Sequence, residues 1–343
     1  MNLKFVSWNV RGLHERDKRL QIKSLIRMWQ AYIICIQETK MELITRGFVR
    51  SLWGCHYVDW VYLGSLGTSG GILVIWDSRV VEKLEEAVEH YSLSCKFKNV
   101  GDNFEWAFTG VYGPNVDKER RLLWEELSGL HSWWNVPWCA SRDFNVVRFP
   151  TERLGAVNFS QAMHDFSDFI SVHGLLDIPM AGGRYTWSNS NSGSRLDRFL
   201  FSPDWEDHYP NMSQRRLARV LLDHFPIILE GGAIQKGRRP FRFENIWLQV
   251  EGFVGKVKDW WDSYQFQGTP SYRMAMKLKA LQADLKKWNE LEFGNMAAKK
   301  IQLWSDLNAL DAKEEMVVLS EEEKLEKVRL QTKFKKYQPF GRD

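Results

Sequence analysis

Leu3-Lys4-Phe5-Val6-Ser7-Trp8-Asn9, followed by Asp17 to Trp29 and then by Tyr32-Ile33-Ile34-Cys35-Ile36, reads as strand, helix, strand. In the helix Ile22, Leu25, Ile26 and Trp29 recur at i, i+3, i+4 and i+7, which makes one buried stripe. Beyond this unit, Gly70 and Gly71 open a third apolar run, Ile72 to Trp76, and Phe104, Trp106 and Phe108 alternate as in a half-buried strand. A helix from about Lys118 carries Leu123, Leu127 and Leu130 and leads into a strand, Val136 to Ala140, with Asp143 and Asn145 just past its end. A second helix from about Ser160 presents Met163, Phe166 and Ile170 and stops at Gly174. Tyr185 to Ser188 and Arg195 to Phe201, separated by Asn189-Ser190-Asn191-Ser192-Gly193-Ser194, form a hairpin, and Val220 to Leu229 closes the set. The pattern predicts an α/β (α+β) four-layer sandwich, two mixed β-sheets flanked by helices, with polar residues gathered where strands end.

After Gly231-Gly232 the texture becomes Lys- and Glu-rich with helical spacing, as in Leu278, Leu281, Leu285 and Trp288. Ser320 and Glu323 form a capping box before a last helix carrying Leu325 and Val328. The expected division is a domain over 1–232 and a helical extension over 233–343. Lys+Arg against Asp+Glu is 26 against 27 before residue 233 and 21 against 16 after it, so the net charge of +4 resides in the extension. A near-neutral first domain neither requires nor excludes a polyanionic partner. A hydrophobic content of 44% with 17 Trp excludes wholesale disorder. Cys35, Cys55, Cys95 and Cys139 lie far apart without a Cys-x-x-Cys pair and are expected as free thiols in a reducing compartment. The chain opens directly on a strand and holds no apolar run near 18 residues, so an intracellular protein with no membrane span is expected.

Six segments end apolar runs in groups able to do chemistry: Ser7-Trp8-Asn9, Gln37-Glu38-Thr39, Val111-Tyr112-Gly113, Asp143-Phe144-Asn145, Leu196-Asp197-Arg198 and Asp223-His224. Attack on a phosphodiester requires a divalent cation on the phosphate oxygens, a group that orients or deprotonates water, and donors for the developing charge. This set can supply all three. Singly, each residue has a structural reading: a Glu after a strand is a solvated loop residue, Asp-x-Asn an Asx-turn, a lone His a hydrogen-bonded scaffold group. Their joint order carries the functional one.

Those ordered motifs, Ser-Trp-Asn-Val-Arg-Gly, Ile-Gln-Glu-Thr-Lys, Gly-Val-Tyr-Gly-Pro, Asp-Phe-Asn, Tyr-Thr-Trp-Ser-Asn with Arg-Leu-Asp-Arg, and Asp-His-Phe-Pro-Ile, cover residues 1–232. They resemble the endonuclease/exonuclease/phosphatase superfamily, and within it the apurinic-endonuclease-like nickase of LINE-type non-LTR retrotransposon polyproteins. Pro240 to Trp247 is similar to the connector of plant LINE polyproteins. The resemblance implies DNA as partner, a nuclear location, and Mg²⁺ as cofactor, with Mn²⁺ as the alternative. It implies Glu38 as the main metal ligand, with Asn9 beside it and Asp223 as a metal-proximal carboxylate. Asp143 would align or deprotonate the water, Asn145 would hold the phosphate region and Tyr112 would donate to or polarise the phosphate. Asp197 would orient an imidazolium at His224 that faces a phosphate oxygen. Thr186 and Arg198 would contact the phosphate backbone.

The chain departs from the pattern at Ser141-Arg142, where the family places Gly before the Asp, and at Leu222, where it places Ser. Both positions border the implied site. The leading expectation is an Mg²⁺-dependent nickase leaving a 3′-hydroxyl, from a polyprotein truncated before its reverse transcriptase. The alternatives are a catalytically impaired relic that at most binds nucleic acid, and a phosphatase or phospholipase acting on small phosphoesters. For the helical extension the readings are a linker, a self-associating coil or a basic tether.

Overall fold

The computed structural model describes residues 3–65, 67, 70–189, 191–219, 223–231, 247–248, 250, 252–288, 294–314, 317 and 319–336. One sheet has the order β3 (Val58–Leu63), β4 (Ile72–Asp77), β2 (Ile33–Gln37), β1 (Lys4–Asn9), β14 (Ile227–Glu230), β13 (Ser213–Arg216) and β9 (Met180–Ala181). β1 and β2 are parallel, with α1 (Arg16–Trp29) between them in sequence, and β4 and β14 flank them antiparallel. The other sheet has the order β12 (Asp197–Phe201), β8 (Trp138–Asp143), β7 (Glu105–Tyr112), β6 (Ser92–Asn99) and β5 (Val81–Val88). Here the parallel pair is β7 and β8, spanned by α3 (Asp117–Trp134). β10 (Trp187–Ser188) and β11 (Gly193–Ser194) form a short ribbon, and α2 (Arg46–Leu52), α4 (Gln161–Val172) and α5 (Pro203–His208) complete this part.

Successive side chains of a strand point to opposite faces, and here both faces of the central strands are covered. Phe5, Cys35, Val74, Trp76, Phe97, Trp106, Phe108, Phe199 and Trp205 fill the layer between the sheets. Leu123, Leu127, Leu130, Phe166 and Ile170 of α3 and α4 pack with Ala107, Val111, Ala140 and Leu200 on the outer face of the second sheet. On the first sheet, α1 buries Ile22, Leu25, Ile26 and Trp29, with Trp29 edge-on to Trp8 at 5.7 Å. Burying each such large side chain contributes about 1.5–3 kcal/mol. The result is the expected four-layer sandwich of two mixed sheets with helices outside, followed by C-terminal helices.

Three local expectations need correction. β7 is buried on both faces from Trp106 to Val111, because it lies inside the sheet with α3 over one side. β8 continues to Asp143 instead of stopping at Ala140. The hairpin is real only as the ribbon Trp187↔Ser194 and Ser188↔Gly193, while β12 leaves it to pair with β8. There its apolar run forms the end strand of the second sheet, buried along its whole length.

By contacts the chain divides into two compact units, Met1–Ala233 with Leu307–Leu325, and Ile234–Asp306 with Glu326–Asp343. In the second unit α6 (Phe253–Ser263) and α7 (Pro270–Trp288) bury Phe253, Leu285 and Trp288 with Trp247. Leu278, expected on that stripe, is exposed. α8 (Gly294–Glu314) and α9 (Glu321–Lys336) follow. The capping box forms, with the Glu323 N–H donating to Ser320 Oγ at 3.3 Å and the Ser320 N–H to Glu323 Oε2 at 3.1 Å. Leu325 and Val328 of α9 are exposed. Leu222, the connector from Pro240 to Ile246, and Tyr337 to Asp343 lie outside the described residues, as does the side chain of Arg142. No helix among the described residues is long and apolar enough to cross a membrane.

Candidate active site

The six motifs meet because their strands end on the same side of the two sheets. Asn9 and Gln37 are register partners at the ends of β1 and β2. Tyr112, Asp143 and Asp197 are successive register partners across β7, β8 and β12. A bridge between Trp187 and His224 brings the ribbon and the loop before β14 to the same place. Between them opens a cleft of about 500 Å³ whose lining includes Glu38, Tyr112, Asp143, Asn145, Trp187 and His224.

Asn9, buried, organises the carboxylates. Its Nδ2 donates to Glu38 Oε1 at 2.8 Å and to Asp143 Oδ2 at 3.1 Å, and its Oδ1 accepts from the Arg11 N–H at 3.2 Å. Glu38 sits at φ +50°, just past β2, which turns its side chain out of the strand. The loop closes there because the Thr39 and Lys40 N–H groups donate to Gly71 and Gly70, and a Cβ at Gly71 would come within 2.3 Å of Thr39 Oγ1. Gln37, the other polar residue of that motif, is buried and donates to Ser7 Oγ at 2.8 Å, a scaffold role.

His224 is clamped between two carboxylates: Nδ1 lies 3.1 Å from Asp197 Oδ2 and Nε2 lies 3.6 Å from Asp143 Oδ2. Burial by itself pushes the imidazole down, but Asp197 and Asp143 together outweigh it and raise its pKa to about 9, so it is a cation at neutral pH. Burial pushes Asp197 up to about 6, against the attraction of His224 and the hydrogen bond from Thr186. Asp143 Oδ1 accepts from the Asn145 N–H at 3.0 Å, and Asn145 Nδ2 donates to the Gly113 carbonyl. Asp223 Oδ2 takes Trp187 Nε1 at 3.0 Å and Arg11 at 2.9 Å.

Asp143, Asp197 and His224 offer donor atoms within 4.8 Å of one another, a group that could hold a metal ion. A protonated imidazole is a hydrogen-bond donor and not a ligand. The better fit to a hard dication is therefore the carboxylate side, where Glu38 and Asp143 converge on the Asn9 amide. Three of the four cysteines are buried free thiols held away from the thiolate: burial pushes Cys35 up to about 12 and raises Cys95 and Cys139 as well.

Two expected phosphate contacts are corrected. Thr186 is wholly buried, and its Oγ1 accepts from the N–H groups of Leu196 at 2.9 Å and Asp197 at 2.8 Å, so it shapes the strand that carries Asp197. Arg198 is also fully buried. Its guanidinium bonds Glu152 Oε2 at 2.8 Å and Asp177 Oδ2 at 2.6 Å, which leaves it no path to a nucleic acid. Sequence reasoning also missed contributors. Trp187, Arg11, Arg120 and Arg153 line the cleft. Arg216, lowered by burial to about 10, lies 3.9 Å from the Phe225 ring and donates to the Tyr185 carbonyl at 2.7 Å, pinning the hairpin beside His224. A Cβ at Gly183 would come within 2.0 Å of that guanidinium, a constraint that only the fold reveals.

The family model described as endonuclease/exonuclease/phosphatase family matches residues 6–211. By sequence the chain is similar to an exodeoxyribonuclease of Bacillus subtilis (strain 168), 27% identical over 265 residues that span 66% of this chain and 98% of the relative. In fold it is similar to AP endonuclease LMAP from Leishmania major, with TM-score 0.53 and 16% identity over 68% of this chain and 88% of that one. It is likewise similar to the endonuclease domain of TRAS1, a telomere-specific non-LTR retrotransposon, with TM-score 0.53 and 13% identity over 67% and 98%.

Proposed function

The chain belongs to the endonuclease/exonuclease/phosphatase family, and on that premise we propose that it is a divalent-metal-dependent DNA endonuclease derived from a plant LINE-type retrotransposon. The observation that carries this reading is the His224 ring held between Asp197 and Asp143 beside the Glu38–Asn9 pair, at the floor of an open cleft. Mg²⁺, or Mn²⁺ in its place, bound chiefly by Glu38 would neutralise charge on a phosphate oxygen. Asp143, aligned by Asn9 and the Asn145 N–H, orients a water and takes its proton as the oxygen attacks phosphorus. His224 donates to a non-bridging phosphate oxygen as negative charge grows there, and Asp197 holds the ring and its charge in place. Tyr112 and the Asn145 amide serve the same phosphate from the cleft wall. The bond from phosphorus to the 3′ oxygen breaks, that oxygen takes a proton from solvent, and the products are a 3′-hydroxyl and a 5′-phosphate. In a retrotransposon that hydroxyl would prime reverse transcription on nuclear DNA.

Supercoiled plasmid with Mg²⁺ tests this. Wild type is expected to yield open circles, and Glu38→Ala and His224→Ala to lose most of that activity. An inert wild type whose Arg142→Gly/Leu222→Ser double variant nicks would instead favour a decayed enzyme.

A further inference from the structure

The geometry points to Arg11 as a substrate-contacting residue whose guanidinium grips the scissile phosphodiester from the Asp223 side of the cleft; this rests on the phosphodiesterase reading above. Arg11 lines the cleft together with Glu38, Trp187 and His224. Its side chain is 46% exposed, with NH2 on Asp223 Oδ2 at 2.9 Å, so part of the donor fork remains turned to the opening. That placement is built. The backbone sits at φ +45°, a region an arginine adopts only when its surroundings impose it. The N–H donates to Asn9 Oδ1, and the carbonyl accepts from Lys18 Nζ at 3.3 Å. Through Asn9 the same contact chain reaches Glu38 and Asp143, so Arg11 is registered to the catalytic carboxylates.

The charges agree with this assignment. Asp223 already has Oδ2 shared between a guanidinium and an indole N–H, so a dication approaching that oxygen would have to displace a charge-assisted bond. Arg11 therefore stands as the fixed cation on Asp223 Oδ2, while Asp223 Oδ1 is left without a hydrogen-bond partner and Glu38 and Asp143 face the Asn9 amide. A planar fork held there can give one N–H to Asp223 and another to a phosphate oxygen.

Arg11→Gly is the decisive variant, because glycine adopts φ +45° without strain and removes only the side chain. Nicking kinetics with Mg²⁺ are paired with binding of a fluorescein-labelled duplex in EDTA across a salt series, and with thermal melts. Arg11→Gly is expected to lower kcat/KM about 10- to 100-fold and to flatten the log–log salt slope by about one, with no loss of melting temperature. Arg11→Lys should keep the salt slope and recover only part of kcat/KM, since it retains the charge without the fork. A wild type that nicks, beside an Arg11→Gly protein with unchanged kcat/KM and salt slope, overturns the assignment and leaves the nuclease reading standing. A wild type that neither nicks nor binds DNA removes both. If Arg11→Gly does not fold, Arg11→Lys decides: reduced kcat/KM at full stability supports the assignment, and wild-type kinetics overturn it.

Discussion

Arg198→Met should unfold the protein more readily without weakening the DNA binding proposed for it. Arg198 is fully buried and bonds Glu152 Oε1 and Oε2, Asp177 Oδ2 and the Arg195 carbonyl. Removing one partner from a buried ion pair costs about 3–5 kcal/mol, chiefly through the charges left behind. Here the low end applies, because Arg195 still bonds both carboxylates, at 3.1 Å to Glu152 and 2.9 Å to Asp177, and Arg148 lies 3.7 Å from Asp177. The cluster holds three guanidinium groups against two carboxylates, so the variant leaves it neutral and not negative. Methionine also fills part of the vacated volume. A loss of about 3 kcal/mol, at about 2–4 °C per kcal/mol for a domain of this size, lowers the melting temperature by about 6–12 °C. Urea denaturation gives the free energy, and duplex binding at a temperature where both proteins are folded gives the affinity. A variant with wild-type stability and a weakened, less salt-dependent affinity would refute the buried-network assignment and restore Arg198 as a DNA contact.

Thr186→Val removes the acceptor for two strand N–H groups and a donor to Asp197; about 1–3 kcal/mol of stability should disappear with most of the nicking activity, and Thr186→Ser should restore both. Gly110→Ala should cost about 1–3 kcal/mol in denaturant titrations, since the added Cβ comes within 2.6 Å of Cys35 Sγ inside the core. Burial holds His131 and His173 below the ordinary 6.5, the two rings being 5.0 Å apart. With folded values lowered, their contribution to stability is present above pH 6.5 and is lost as pH falls through those values. The denaturation midpoint should therefore drop between pH 7.5 and 5, and less steeply in His131→Gln/His173→Gln; an identical slope in the double variant would exclude this pair as the cause.

What could be read from the chain was whatever periodicity and strand ends encode locally. Apolar runs bounded by Asn9, Glu38, Tyr112, Asp143, Asp197 and His224 put a polar residue at or beside a strand end, and the structure gathers those residues around one cleft. The side to which a residue faces was less accessible. Arg198 follows Asp197 directly, and successive strand residues point oppositely; Asp197 meets His224 while Arg198 meets Asp177 and Glu152, 21 and 46 residues away. Thr186 looked like a hairpin residue, but no local signal tells whether a hydroxyl turns to solvent or to a backbone N–H. β5 and β6 were missed for a related reason: with Glu82, Lys83, Glu85 and Glu86 in its run, β5 is an edge strand whose charges mask the alternation.

Backbone strain adds an argument independent of the motifs. Among the described residues, the non-glycine positions at positive φ are Arg11, Gln30, Glu38, Lys40, Asn103, Asn135, Asn145 and Asn211. Gln30 and Asn135 end α1 and α3, where a left-handed residue is ordinary, and asparagine tolerates the region well. Arg11, Glu38 and Lys40 have neither excuse. At about 1–2 kcal/mol each they cost a substantial part of the roughly 5–15 kcal/mol that keeps a protein folded. All three lie in the loops after β1 and β2, stitched by bonds from the Gly12 N–H to the Glu38 carbonyl at 2.6 Å, from Leu13 to Thr39 at 3.0 Å and from Lys40 to Gly70 at 3.1 Å. Glycine or asparagine at those positions would give the same loops more cheaply. Two of the three, Glu38 and Arg11, turn their side chains to the Asn9 amide, to Asp223 and to the cleft, and strain concentrated at such groups is expected where position matters more than stability.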